Sequence, residues 1–319
     1  MELLFWSIIF IVSLVVLSKS AAYFTEAAEK LGIFLDIPVF IIGVTIVALG
    51  TSLPELVSSI FAVLKDSSEI VVGNVVGSNI CNIFLVLGIV AIISKKKVIN
   101  VGFELTHIDL PILIGSAFFL AVTIWDGVFT LSEALLCIAG IVLYLFYTVN
   151  VEKKYTGIEK EIRIKKGRKR KLDKKIILAL VGGAFFIYLG AEYTIEAVIK
   201  LSEILNIGKE IIAVSAIALG TSLPELTVSI TAAREGKGEI AVGNVLGSNI
   251  FNSFAVMGIP ALFKELIIPE SILIFSLPIM LIATFLYFFI TQDKQITKWE
   301  GWLLIIFYVF FIGKLFSLF

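Results

Sequence analysis

The sequence repeats itself, and the repeat limits what the chain can fold into more than any other feature. Shifted by 170 positions, residues 50–88 align with residues 220–258, with 24 identities in those 39 positions. Weaker similarity upstream matches Tyr23, Glu26, Ala27, Lys30 and Leu31 with Tyr193, Glu196, Ala197, Lys200 and Leu201. A chain that carries one unit twice builds its core where the two copies meet. Both copies lie inside long apolar runs, and 59% of the 319 residues are hydrophobic against 16% charged. With a mean hydropathy of +1.03, the chain reads as an integral membrane protein of the all-α class, located in the cell membrane with the lipid bilayer around it.

Ten apolar segments are expected to cross the bilayer: about 3–28, 37–64, 70–93, 105–124 and 128–149, then about 176–199, 207–233, 239–262, 271–291 and 299–317. The run "LLFWSIIFIVSLVVL" lacks a basic flank and a cleavage site, so it reads as the first span and not as a signal peptide. Between the halves, residues 152–175 carry twelve Lys/Arg against four Asp/Glu. That basic loop is expected in the cytoplasm. The expected units are residues 1–149, a loop at 150–175, and residues 176–319. Five spans before a cytoplasmic loop place the N-terminus outside. Lys95–Lys97, Arg234, Lys237, Lys294 and Lys298 then all fall on the inner side. Because five is odd, the second unit enters the membrane upside down relative to the first. Such inverted repeats are the construction of many secondary transporters, with broken helices at equivalent positions around a midplane site.

The most conspicuous identity is "ALGTSLPEL", at 48–56 and again at 218–226. Each copy sets a carboxylate, Glu55 or Glu225, in apolar surroundings, where an unpaired charge costs several kcal/mol. Pro54 and Pro224 lack an N–H and, with Gly50 and Gly220, are expected to break the helix and free carbonyls such as those of Ala48 and Ala218. Irregular backbone at membrane depth survives only inside protein or beside a water-filled cavity. Thr51, Ser52 and Glu55, with Thr221, Ser222 and Glu225, add hydroxyl and carboxylate oxygens. These are hard ligands suited to Na⁺ and Ca²⁺, and the absence of His and Cys nearby argues against zinc or copper.

The next expected span carries "GNVVGSNICN" at 73–82, and its counterpart "GNVLGSNIFN" at 243–252. Gly73, Gly77, Gly243 and Gly247 are expected to let helices approach closely. Ser78 and Asn82 share a helix face, as do Ser248 and Asn252, which brings four more oxygens toward the glutamates. Asn74 and Asn244 remain open between packing and function. Two facing carboxylates repel unless a cation sits between them. One Ca²⁺ neutralises both, two Na⁺ do the same, and a third leaves one positive charge. Competing loads at a shared site are what an exchanger requires.

At these residues the chain resembles the Na⁺/Ca²⁺ exchanger branch of the calcium/cation antiporter superfamily, prokaryotic in type. The resemblance rests on the doubled "GTSLPE" and on "GNVVGSN" and "GNVLGSN", each followed by a polar residue, and it covers most of the chain. It implies a secondary antiporter and no enzyme, with Ca²⁺ and Na⁺ as transported ions and no cofactor. Glu55 and Glu225 would be shared ligands of both ions, with Thr51, Thr221 and the carbonyls of Ala48 and Ala218 completing the cation sites. Ser52 and Ser222 would lie alongside, Ser78 and Ser248 would serve flanking Na⁺ sites, and Asn82 and Asn252 the centre. Alternating access in the family implies sliding of the first and sixth spans. Potassium-dependent members carry Asp where this chain has Asn252, so the resemblance is to the potassium-independent exchangers. The proton-coupled branch carries "GNxxE" where this chain has "GNVVG" and "GNVLG".

Proton-coupled Ca²⁺ antiport, a cation channel and a calcium sensor that moves nothing are the alternatives. No HExxH, GxSxG or phosphate-binding loop is present in the sequence, so a protease, a hydrolase or an ATP-driven pump lacks its parts. Neither nucleic acid nor an obligate protein partner is expected. Cys81 and Cys137 are expected to be packing residues, and His107, the single histidine, an interfacial hydrogen-bonding residue. Glu26, Glu29, Glu192 and Glu196 are expected near the membrane boundaries.

Overall fold

A computed structural model of the chain describes residues 1–35, 48–95, 98–101, 109–155 and 174–318. His107 and most of the basic loop lie outside the described residues. The first half contains α1 (Glu2–Phe34), α2 (Ala48–Thr51), α3 (Leu53–Leu64), α4 (Glu69–Ile80), α5 (Gly88–Ile93), β1 (Val98–Asn100), α6 (Leu110–Thr123), β2 (Val128–Phe129) and α7 (Leu131–Tyr155). The second half contains α8 (Lys174–Leu205), α9 (Lys209–Ile212), α10 (Ala218–Thr221), α11 (Leu223–Arg234), α12 (Gly238–Phe251), α13 (Met257–Ala261), β3 (Leu266–Ile267), α14 (Leu277–Gln292), β4 (Gln295–Thr297) and α15 (Lys298–Leu315). The described residues are thus almost wholly helical, with helix in every one of the ten expected spans.

Among the described residues six helices are long and apolar enough to cross a membrane, or seven if the bent pair Lys209–Thr221 and Leu223–Arg234 forms one span. α15 falls outside that set because Lys298, Glu300 and Lys314 sit among its 18 residues. Burial separates the helices into a centre and a periphery. Every residue from Ile70 to Ile80 of α4 is buried. α7 and α8 instead turn Leu135, Leu143, Phe146, Leu178, Val181 and Phe185 outward, as lipid-facing helices do. The polar motifs therefore run through the middle of the bundle, where lipid does not reach.

α1 and α8 lie against each other and run antiparallel. Ser13 meets Thr194, Leu17 meets Gly190 and Phe24 meets Gly183, so one partner's numbers rise as the other's fall. A side chain at Gly190 would come within 2.8 Å of the Leu17 backbone, which is how the two long helices approach so closely. Leu17, Ala21, Ile187 and Ala191 form a small apolar cluster of their own, separate from the main core.

Two short antiparallel pairings join the halves. In the first, β1 meets β4, with Val98 opposite Thr297 and Asn100 opposite Gln295. In the second, β2 meets β3, with Val128 opposite Ile267 and Phe129 opposite Leu266, and the Ile268 N–H adds a 2.9 Å bond to the Gly127 carbonyl. Ile99, Phe129, Leu266 and Ile296 bury their side chains beneath these clamps. Shifting Val98 and Thr297 by 170 positions in opposite senses gives Ile268 and Gly127, so the two clamps are equivalents under the repeat. At the second clamp, Lys264 forms an ion pair with Asp66 and holds that exposed carboxyl below the usual aspartate range.

Candidate functional site

Pro54 stands in the first turn of α3 and Pro224 in the first turn of α11, where a missing N–H costs no intrahelical hydrogen bond and φ is preset for the helix. The preceding helices stop at Thr51 and Thr221, and the axis bends by 41° across Ser222. Each glutamate thereby falls in the first turn of a new helix. The unsatisfied N–H groups there favour a negative charge.

Both glutamates are fully buried. The Ser52 hydroxyl donates to Glu225 Oε1 at 3.1 Å, and the Ser222 hydroxyl donates to Glu55 Oε1 at 3.4 Å. These two contacts are reciprocal under the repeat, residue i meeting j while j meets i, the mark of a local two-fold axis. Ser248 donates to Glu225 Oε1 at 3.4 Å, and Thr221 and Ser78 add hydroxyls around Glu55. Thr51, at the end of α2, is buried too.

Asn74 and Asn244 have matching places. Asn74 Nδ2 donates to the Glu55 carbonyl at 3.2 Å and to Ser59 at 3.2 Å, and Asn244 Nδ2 donates to the Glu225 carbonyl at 3.4 Å and to Ser229 at 3.0 Å. Each amide ties the backbone of a glutamate to the neighbouring central helix. The repetition of the GN pair was the sequence signal for this role; its backbone partner was not.

Asn82 and Asn252 each sit where the helix loosens into π-helical hydrogen bonding, over Cys81–Leu87 and Asn252–Val256. Such turns recur at functional sites because the widened ladder re-aims side chains, and nothing in the sequence announces them. Six buried side-chain atoms have no hydrogen-bond partner among the described residues: Glu55 Oε2, Glu225 Oε2, Asn82 Oδ1, Asn79 Oδ1 and both polar atoms of the Asn252 amide. Buried polar groups are paired in the great majority of cases, so orphans gathered on the repeated motifs call for a partner. Among the described residues no three His, Cys, Asp or Glu side chains cluster as a metal site. Two carboxylates, hydroxyls and amides make up this set.

One expectation needs correcting. The carbonyl of Ala218 is not freed by the break; it accepts the Ser222 N–H at 3.1 Å and the Thr221 hydroxyl at 3.4 Å. The proline instead withdraws the donor four residues on from Gly220, and the Ser18 hydroxyl of α1 replaces it at 3.0 Å. Ala48 opens α2 and its side chain lies outside the described residues. Gly73 and Gly77 admit the helix segment around Ala213 and Val214, as expected, whereas residues 43–44, the equivalents of that segment under the repeat, lie outside the described residues. Outside the site, Glu26 pairs with Lys30 and Glu196 with Lys65 at exposed or partly exposed positions. Cys81 and Cys137 are both buried.

The sequence profile of the family described as "Sodium/calcium exchanger protein" matches residues 5–151 and 175–316. Among curated relatives, the sodium/calcium exchanger MaX1 of Methanosarcina acetivorans is 36% identical over 97% of this chain and 98% of its own length. The inner membrane protein YrbG of Escherichia coli is 33% identical over 79% of this chain and 78% of its own. Among solved structures, the sodium-calcium exchanger NCX_Mj, soaked with Na⁺ and Ca²⁺, superposes with a TM-score of 0.66 at 29% identity, covering 97% of this chain and 98% of that one. With the profile spanning both halves and the doubled motif converging on one buried pair of carboxylates, the chain is a multi-pass membrane protein that belongs to the sodium/calcium exchanger family.

Proposed function

We propose that the protein exchanges Na⁺ for Ca²⁺ across the membrane by alternating access, exporting Ca²⁺ as Na⁺ enters, through one site at the meeting of the two halves. Glu55 and Glu225 are its shared charged ligands. Thr51, Thr221, Ser52 and Ser222 join them from the broken helices, and Ser78, Ser248, Asn82 and Asn252 from the central ones. The backbone oxygens of Ala48 and Ala218 complete the shell, the Ala218 oxygen being released by the Thr221 hydroxyl, which also reaches the Ile217 carbonyl at 3.1 Å. The observation that carries this reading is the set of buried oxygens left without a partner, Glu55 Oε2, Glu225 Oε2, Asn82 Oδ1 and Asn252 Oδ1. Hard cations take such oxygens and stabilise both carboxylates at once.

The layout we infer is ten spans as two inverted units, 1–149 and 176–319, joined by a cytoplasmic loop at 150–175, with the N-terminus outside. The clamps support it. β1 and β4 lie after the third and ninth expected spans, and β2 and β3 after the fourth and eighth. Segments pair only on one side of a membrane, and each pair is separated by an even number of crossings. The antiparallel run of α1 against α8 and the reciprocal serine contacts support the inversion. The α1–α8 pair, joined in part by a small apolar cluster of its own, is the body that slides, while the clamped helices stay together.

Proteoliposomes loaded with Na⁺ and diluted into Na⁺-free medium are expected to accumulate Ca²⁺, and to stop when the Na⁺ gradient is collapsed. Uptake that follows an imposed proton gradient and ignores Na⁺ would replace this reading with proton coupling. Flux without any counter-ion would make the protein a channel. Acidification toward about pH 5 is expected to inhibit exchange, since a proton on either carboxylate removes a ligand charge; unchanged rates there would count against the glutamate pair as the site.

A further inference from the structure

An asparagine side chain can offer a cation either an oxygen or an N–H₂ group, and only the first binds it. What decides the orientation of Asn82 is a chain of donors and acceptors that starts at a backbone atom. The carbonyl oxygen of Asn79 can only accept. Asn249 Nδ2 donates to it at 3.4 Å, which turns Asn249 Oδ1 the other way. That oxygen accepts from Asn82 Nδ2 at 3.1 Å. With its nitrogen engaged, Asn82 leaves Oδ1 as the buried atom without a partner. All three residues are buried, at 2% exposure or less, so no water-facing alternative relaxes the order of the chain.

The counterpart half lacks this relay. Asn79, the equivalent of Asn249, donates instead to the Ser253 hydroxyl at 3.0 Å and to the Met280 sulfur at 3.6 Å. Asn252, the equivalent of Asn82, has neither amide atom engaged. The two halves, so alike in sequence here, therefore differ in how firmly they hold their central amides.

We propose that Asn249 is the positioning residue that makes Asn82 an oxygen ligand for the transported cation, through the Asn79 carbonyl–Asn249–Asn82 relay. Asn252 is the adaptable counterpart, oriented by whichever cation it meets. The inference rests on the assignment of Asn82 to the cation site. Its consequence is directional. Removing the Asn249 acceptor frees Asn82 to present N–H₂ to the ion, whereas a carboxylate at position 82 has no wrong way round. An aspartate there would face the Asn249 oxygen, and removing that oxygen would relieve it.

The test is a cycle of four full-length proteins in proteoliposomes: wild type, Asn249→Leu, Asn82→Asp and the double variant, read as the Ca²⁺ concentration that half-saturates Na⁺-driven uptake. Asn249→Leu is expected to raise that concentration about tenfold when position 82 is the native asparagine, the size of one buried hydrogen bond to a ligand. In the Asn82→Asp background it is expected to cause no rise. An equal rise in both backgrounds overturns the proposal, because a role in packing alone would not depend on the chemistry at position 82. If Asn249→Leu does not give a monodisperse protein, Asn249→Ala decides by the same comparison: a rise of about tenfold is expected with asparagine at position 82 and none with aspartate there, and an equal rise in both overturns the relay. The underlying assignment has its own control, since an Asn82→Ala protein with wild-type Ca²⁺ half-saturation would remove Asn82 from the site whatever Asn249 does.

Discussion

Replacing Glu55 or Glu225 with glutamine is expected to lower Na⁺-dependent Ca²⁺ uptake about a hundredfold or more, with folded protein still recovered. Glutamine keeps the volume and an oxygen that accepts the hydroxyl of Ser222 or Ser52, so the cross-repeat contacts survive. What disappears is one of two formal charges in a fully buried site. Removing one partner of a buried charged set costs roughly 3–5 kcal/mol, far more than serine hydroxyls regain. Since the contacts are reciprocal, the two variants should behave alike. Wild-type uptake in either would sink the assignment. Loss in one alone would mean that the site has a single charged ligand.

The second large effect concerns packing. A Cβ at Gly77 would collide with the Val214 carbonyl oxygen and come within 2.7 Å of both Val214 Cα and Ala218 Cβ. Those are backbone and near-backbone atoms, with no flexible end to move aside. Gly77→Val is expected to destabilise the protein by about 3 kcal/mol and to displace Ala218 and the Thr221–Ser222 turn that follows it. Thermal stability in detergent and gel filtration would register the change, and exchange should fall with them. A Gly77→Val protein with wild-type thermal stability would mean that the close approach at Gly77 is wrong.

Gly77 also shows where sequence reading reaches its limit. The motif asks for a small residue there, but it does not name Val214 and Ala218 as what the gap admits. The helix breaks at Ser52 and Ser222 were legible, since proline has one consequence for a helix wherever it stands. Which carbonyl each break leaves was less so. Ala218 is the residue that the hydroxyl-rich turn suggests, whereas counting four back from Pro224 leads to Gly220, and its replacement donor, Ser18, comes from a distant helix. The clamps had no signal, because strands of two or three residues are shorter than any alternation that periodicity can detect. The amide relay through Asn249 had none either, since the direction of a hydrogen bond is set by a partner that the sequence does not name.

The clamps bear on how such a chain arises. Each takes one strand from either half, and among the described residues no strand pairs within its own half. A half-length ancestor alone would have carried two open strand edges, one at each end of its helices. It would have closed both only by meeting a second copy of itself turned upside down. On the inverted layout proposed above, gene fusion would add nothing to those contacts; it would make the inverted partner unavoidable and free the two copies to diverge, as Asn79 and Asn249 have done.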